Sequence, residues 1–490
     1  MQKSDALVIG AGIAGIGTAI RLALKGFNVK VFEGNAYAGG KLSEFEQHGY
    51  RFDAGPSLFT MPQYVDELFK LAGKNPADYF TYQKLDVVCR YFYPDGTHIN
   101  AYADQDKFAA EVNQKTGEPK GAVYSYNRNS ARIYKVTNHV FLEQSLHRLQ
   151  TYLNSKTLQS ILRLFQIDAL RSMSKANEHF FNDERLVQFY NRYATYNGSN
   201  PYDAPATLNV IPHLEQHFGA YFPKGGMYSI TASLVNLAQD LGVQFNYNSP
   251  VDEIVLKNNK ATGVIVNSSF VAADIVISNM DVWFTYRKLL KQHPQLFPSN
   301  ILSQERSSSA LIFYWGIQKK FEQLDLHNIF FSANYKAEFD AIWKQQTIFN
   351  DPTVYVNISS KYEEADAPGG CENWFVMINV PANTGQNWDK LIAEARIYII
   401  QKLSAQLGDN IEEFIATESI LDPRLIESRT SSYQGSLYGT SSNNRFAAFL
   451  RHANRSSKIS NLYFCGGSVH PGGGIPLALL SAKIVSEWVD

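Results

Sequence analysis

Cysteine is scarce in this chain. There are three in 490 residues, Cys89, Cys371 and Cys465, far apart and in no C-x-x-C pair. That argues against a disulfide framework and a thiolate zinc site, and it suits a reducing compartment. An excess of positive charge is also missing. The 45 Lys and Arg are balanced by 46 Asp and Glu, a formal net charge of -1, so nucleic acid is not expected as a partner. No uninterrupted apolar run reaches the ~18 residues of a spanning helix. Internal repeats, low-complexity segments, a Ser–His–Asp set and a metal-ligand cluster are all lacking, so no metal site is expected. The opening MQKSDALVIGAG runs straight into a strand pattern and leaves no room for a signal peptide, so secretion is not expected. What is present is 45% hydrophobic, 19% charged and 13% aromatic residues, the profile of a globular chain. Its length gives about three domain units and a large core.

The first 60 residues read as strand, glycine turn, helix, strand. Ala6 to Ile9 is apolar without alternation, as in a parallel strand buried on both faces. Ile13, Ile16, Ile20 and Leu24 then recur at helical spacing. Gly26 ends that helix, and Val29 to Phe32 forms the next strand. From about Val123 to Arg192 the pattern is helical, with an apolar face of Leu158, Ile161, Leu162, Phe165 and Leu170. Basic residues dominate there: Arg128, Arg132, Lys135, Arg148, Lys156, Arg163, Arg171 and Lys175 against Glu143 and Asp168. Strand patterns return over 243–277, 308–380 and 462–465; helices are expected over Leu391 to Leu407 and after Pro476. This alternation predicts an α/β protein with a discontinuous domain pair. Residues 1–90, 220–300 and 455–490 form one part, a Rossmann-type domain with a parallel sheet. Residues 91–219 and 301–454 form the other, of mixed sheet and helices, including a helical region over 125–192.

Gly10-x-Gly12-x-x-Gly15 lies between a strand and a helix. Gly10 permits the tight turn, Gly12 lets the backbone approach a pyrophosphate at the helix N-terminus, and Gly15 lets the helix pack on the strand. Ile13 and Ala14 supply N–H groups of that first turn. Glu33 ends the second strand, where a carboxylate accepts from ribose hydroxyls. Gly39-Gly40-Lys41 allows a further close approach with a positive charge. The turn Phe52-Asp53-Ala54-Gly55-Pro56-Ser57 follows. Near the C-terminus, Gly466-Gly467-Ser468-Val469-His470-Pro471-Gly472-Gly473-Gly474-Ile475-Pro476 precedes the last helix. Such a loop offers N–H groups and a helix dipole to an electron-accepting ring. These additions favour FAD over a nicotinamide.

Together these residues resemble the bacterial and fungal phytoene desaturase family of carotenoid desaturases, within the flavoproteins that include amine oxidases. The resemblance runs nearly the whole length, through VIGAGIAG, GGK, HGYRFDAGPSLFTMP, the YNGSNPYDAPATLNVIPHLEQHFGAYFPKGGM block, SSYQGSLYG and NLYFCGGSVHPGGGIPLALLSAKI. It implies an FAD site at Gly10, Gly12, Gly15, Glu33, Gly39, Gly40 and Lys41. It also implies the backbone of Val251 at the adenine, and Gly466, Gly467 and the turn through Gly474, Ile475 and Pro476 beside the flavin. The place where amine oxidases carry an acid holds Gly467. The GSNPYDAPATLNVIPHLE block leans toward 1-hydroxycarotenoid 3,4-desaturation.

The implied reaction introduces a C=C bond into an acyclic or 1-hydroxylated carotenoid, by hydride transfer to flavin and loss of a proton. Oxygen or a membrane quinone would take the electrons. No catalytic side chain is identified; His470 and Asp168 are candidates for a weak base, and His470 also reads as a turn histidine bonding backbone. A long apolar substrate needs an apolar tunnel, for which Tyr190, Tyr193, Tyr196, Phe313, Tyr314 and Trp315 are candidate walls or core. The basic region within 125–192 is either a membrane-contact surface or a solvated lid. The expectation is thus a cytoplasmic enzyme peripherally attached to a membrane. A flavin amine oxidase and a non-catalytic prenyl-group escort protein of the same fold are the alternatives.

Overall fold

Strand Asp5–Ile9 is buried on both faces after its first residue, and this explains its unbroken apolar run. A computed structural model describes residues 4–138, 144, 145, 148, 151, 167–444 and 451–489. Asp5–Ile9 lies at the centre of a five-stranded sheet ordered Gln244–Asn246, Asn28–Phe32, Asp5–Ile9, Ile275–Ser278, Leu462–Phe464. Every pairing in it is parallel, with Val8 opposite Val31 and Ile277. Ala6 and Val8 pack with helices Ile13–Leu24, Tyr228–Asp240 and Ile475–Trp488. Leu7 and Ile9 face the other way, onto a three-stranded antiparallel sheet of Val251–Lys257, Lys260–Val266 and Ser269–Ala272. Strands distant in sequence therefore meet in one layered α/β unit. Their carboxyl ends, Ile9, Phe32, Ser278 and Phe464, share one edge, where ligands bind in open parallel sheets.

The second unit is a seven-stranded mixed sheet ordered Ile415–Leu421, Ser309–Ile317, Glu372–Val380, Val354–Asn357, His327–Phe330, Val87–Phe92, His98–Tyr102. Only His327–Phe330 beside Val87–Phe92 pairs in parallel. Residues 90 and 91, where the sequence reading divides the chain, both lie inside Val87–Phe92. One face is covered by helix Trp388–Leu407, through Leu391, Ala395, Ile399 and Leu403 at helical spacing. The helix starts on the Asn387 side chain and stops at Gly408, whose φ is 75°. The opposite face is left for a cavity.

The helical stretch is broken where it is described. Lys120–Thr137, Met173–Asn177 and Glu184–Asn191 are helices. Leu158, Ile161, Leu162 and Phe165, with Lys156 and Arg163, lie outside the described residues. Leu170 is 81% exposed and belongs to no apolar face. Among the described residues no helix is long and apolar enough to cross a membrane, and no group of His, Cys, Asp and Glu could hold a metal ion.

Candidate functional site

Two helix N-termini open into one cavity of about 820 Å3 that runs between the two sheets. The first is that of Ile13–Leu24. Its first intrahelical bond is Ile16 N–H to Gly12 O at 2.9 Å, so the N–H groups before Ile16 have no partner in the helix. A Cβ on Gly12 would come within 2.6 Å of Asn279 Oδ1. A side chain here would therefore have to displace the Asn279 amide as well as crowd any ligand. The second N-terminus belongs to Ile475–Trp488, capped by Gly474, with Ala478 N–H bonded to Gly474 O at 2.9 Å. Pro476 has no N–H to leave unpaired, which suits the first turn.

The glycine-rich turns are tied to each other. Gly39 N–H donates to Ala11 O at 2.8 Å, so the Gly39-Gly40 turn lies on the first loop. Gly55 packs so closely that a Cβ there would sit 1.7 Å from Lys41 O. Glu33 is buried; its Oε2 accepts from Ala11 N–H at 2.7 Å and its Oε1 from Asn35 N–H at 2.9 Å. Lys41 Nζ donates to the carbonyls of Leu437 at 2.8 Å and Ser436 at 3.2 Å. Burial pushes the Lys41 ammonium down to about 8, with the Asp281 carboxylate working against that and the Arg306 charge adding to it. Arg306 and Asp281 form a buried ion pair. Arg451 donates to the carbonyls of Gly467, Tyr438 and Thr440, anchoring the last loop. Burial, with Arg306 nearby, lowers its guanidinium to about 10.

Gly10, Gly12, Ile13, Ala14, Glu33, Gly39, Gly40, Lys41, Gly55, Pro56, Ser57 and Val251 all line this cavity, as do Gly466, Gly467, Gly474, Ile475 and Pro476. Gly15 does not. Its Cβ would meet Gly10 O at 2.2 Å, a helix-on-strand contact. The donor set fits a dinucleotide with a flavin ring: one helix N-terminus and a carboxylate at the sheet edge, and a second N-terminus farther along.

Beyond the loops, the cavity floor is the free face of the seven-stranded sheet. Ile312, Met377, Tyr355 and Ile329 form one row across paired strands. Here the aromatic candidates divide between wall and core. Of the six candidate walls only Tyr196 faces the cavity. Phe313 and Trp315 point to the helix-covered side. Tyr190 and Tyr193 are packed in another apolar cluster, and Tyr314 donates its hydroxyl to Ala54 O at 2.8 Å. The two candidate bases are also away from the cavity lining. His470 is buried, and its Nε2 is 2.8 Å from Gln144 O, the arrangement of a turn histidine. Asp168 is held in an ion pair by Arg171.

Sequence reasoning missed three polar residues of the lining, Arg192, Glu215 and His327. All three are buried and line the cavity. A charged residue inside the aromatic run FYNRYATY was the available signal for the first. Cys89 lies there too, its thiol raised to about 12, chiefly by burial.

Known proteins share this architecture. The model of the family described as flavin containing amine oxidoreductase matches residues 13–489. The chain is 51% identical over 484 residues to a 1-hydroxycarotenoid 3,4-desaturase from Flavobacterium sp. (strain P99-3), covering 99% of this chain and 98% of that protein. It is 34% identical to a 4,4'-diapolycopene oxygenase from Methylomonas sp, over 99% and 97% of the two chains. Among solved structures, an oxidoreductase from Methanosarcina mazei superposes with a TM-score of 0.65 at 15% identity, covering 99% of this chain and 100% of that one. A putrescine oxidase triple mutant gives a TM-score of 0.65 at 14% identity, over 99% and 98%.

Proposed function

Because this chain belongs to the flavin containing amine oxidoreductase family and, within it, to the carotenoid desaturases of the phytoene desaturase type, we propose that it introduces a C=C bond into a carotenoid polyene. It is an FAD-dependent oxidoreductase. Bound FAD supplies the hydride acceptor. The observation that carries the reading is the continuity of one cavity from the glycine-rich loops to an apolar sheet floor. We assign FAD binding to the loops of the parallel-sheet part (1–90, 220–300 and 455–490) and the polyene to the part formed by 91–219 and 301–454.

In this reading the chain binds and orients rather than donating a strong acid or base. The row Ile312, Met377, Ile329 holds an extended apolar chain by burial and keeps water from the reacting carbons. Conjugated double bonds spread positive charge as hydride leaves, so the proton can go to a weak acceptor. The substrate we favour bears a 1-hydroxyl group and is oxidised at the 3,4 bond, as the name of the 51% identical relative states for that protein.

A polyene must be collected from a bilayer. Arg128, Arg132 and Lys135 are exposed on helix Lys120–Thr137, a spacing that puts them on one side. We assign that side to an anionic membrane surface, with the enzyme peripheral on the cytoplasmic side and oxygen or a membrane quinone accepting the electrons.

The test is incubation of the protein with FAD, liposomes and a panel of acyclic, hydroxylated and cyclised carotenoids. A red shift of the product spectrum is expected for at least one acyclic or hydroxylated polyene. A protein that holds flavin yet lengthens no conjugated system overturns the reading.

A further inference from the structure

An apolar cavity has no use for unpaired hydrogen-bond donors, yet two side chains in its lining carry them. Arg192 and His327 are 5% and 4% exposed and both line the cavity. Arg192 Nε and Nη2 and His327 Nε2 have no hydrogen-bond partner. Leaving such groups buried and unpaired is costly, so their persistence points to a ligand atom.

Geometry narrows that atom to a neutral acceptor. The Arg192 guanidinium is held in place by the rings of Tyr193, Tyr196 and Tyr91, 4.3, 4.9 and 5.2 Å away. Its charge is already balanced by Glu215, with Nη2 3.5 Å from Oε1. Glu215 in turn accepts the hydroxyls of Tyr193 at 2.6 Å and Tyr196 at 2.7 Å. An anionic ligand is therefore not called for, and the carboxylate is not available to a cationic one. His327 Nδ1 lies 3.1 Å from the Asn357 amide nitrogen and 2.7 Å from Tyr355 Oη; with these two groups donating, Nδ1 accepts and Nε2 carries the ring proton. Burial and the nearby Arg192 charge hold the ring neutral, pushed down to about 3. The cavity thus presents N–H groups of two neighbouring side chains to an uncharged oxygen.

His327 also adjoins the turn assigned to the flavin. His327 Nδ1 is 2.7 Å from Tyr355 Oη, which is 2.7 Å from Ser57 Oγ. Two hydrogen bonds thus link His327 to the turn that carries Ser57. Resting on the desaturase reading, we infer that Arg192 and His327 bind a hydroxyl oxygen on the end group of the polyene and so determine which polyene is accepted. A site built to bond a substrate hydroxyl discriminates strongly against the analogue lacking it.

The experiment measures kcat/KM of the holoenzyme with liposomes for two acyclic polyenes that differ only in a tertiary 1-hydroxyl. Wild type is expected to favour the hydroxylated one by about tenfold or more. His327→Leu and, separately, Arg192→Lys are expected to lower that ratio by about tenfold or more. A defect of folding alone would lower both rates together and leave the ratio where it was. A wild type without preference, or variants that keep its ratio within about threefold, overturn the inference while the desaturase reading stands. Turnover of neither polyene by flavin-loaded wild type overturns both.

Discussion

Asp53 Oδ2 accepts the Met227 N–H at 2.9 Å, joining the turn before Gly55 to the start of helix Tyr228–Asp240. The other oxygen accepts from Tyr228 N–H at 3.0 Å. Arg51 lies against the same carboxylate at 2.8 Å and against Asp366 at 3.2 Å. One buried acid thereby fixes the helix, the Gly55-Pro56-Ser57 turn and the neighbouring cation.

Asp53→Ala should cost about 3 kcal/mol, because it strands two N–H groups and removes one of the partners of a largely buried arginine. Asp53→Asn, which keeps a carbonyl oxygen for one N–H, should lose less. Urea unfolding midpoints of the two variants measure the difference, and equal losses would assign the effect to charge alone.

Gly12→Val should empty the flavin site. The Cβ would sit 2.6 Å from Asn279 Oδ1, so Asn279 must move, and the added carbons occupy the backbone approach where a pyrophosphate is expected. Absorbance near the flavin band after gel filtration with excess FAD reads this directly. Undiminished binding would move the pyrophosphate elsewhere.

Lys41 should make the cofactor-stripped protein more stable as pH rises. Burial lowers its folded value to about 8, against an ordinary 10.5. Between those two values the unfolded chain binds a proton that the folded chain has lost, so stability increases with pH across that window. The stability of wild type relative to Lys41→Met should rise by up to ~3 kcal/mol from pH 8 to pH 10.5. Denaturant titrations across that range test the slope, and a flat difference would place the ammonium in water.

Replacing Arg128, Arg132 and Lys135 together with Gln should weaken binding to anionic liposomes at low salt. Three charges at ~1 kcal/mol each correspond to about 100-fold. Flotation assays with and without anionic lipid provide the comparison. Unchanged binding would exclude this side of the helix from the membrane contact.

Much of the glycine-rich end of the cavity was legible because it is local. A strand, three glycines at fixed spacing, a helix and an acid at the next strand end are one supersecondary unit, and the second glycine turn before Ile475 is another. The same locality explains why wall and core were not separable among the aromatic candidates. Ser309–Ile317 is buried along its entire length, so alternation gives no sign of which face is the cavity. Phe313 and Trp315 took the helix side, leaving Ala310 and Ile312 for the cavity.

The amino-acid sequence alone determined the shape of the glycine-rich end of the cavity, because backbone shape there is dictated by glycine and proline within a few residues. Only the tertiary structure decided where polarity lies in the rest of the cavity. Arg192 comes from a helical segment, His327 from one strand and Ser57 from a turn near the other terminus. Nothing in their local sequence brings them together. Pairing of distant strands does so, and that pairing is settled by burial across the whole core rather than by neighbours along the chain.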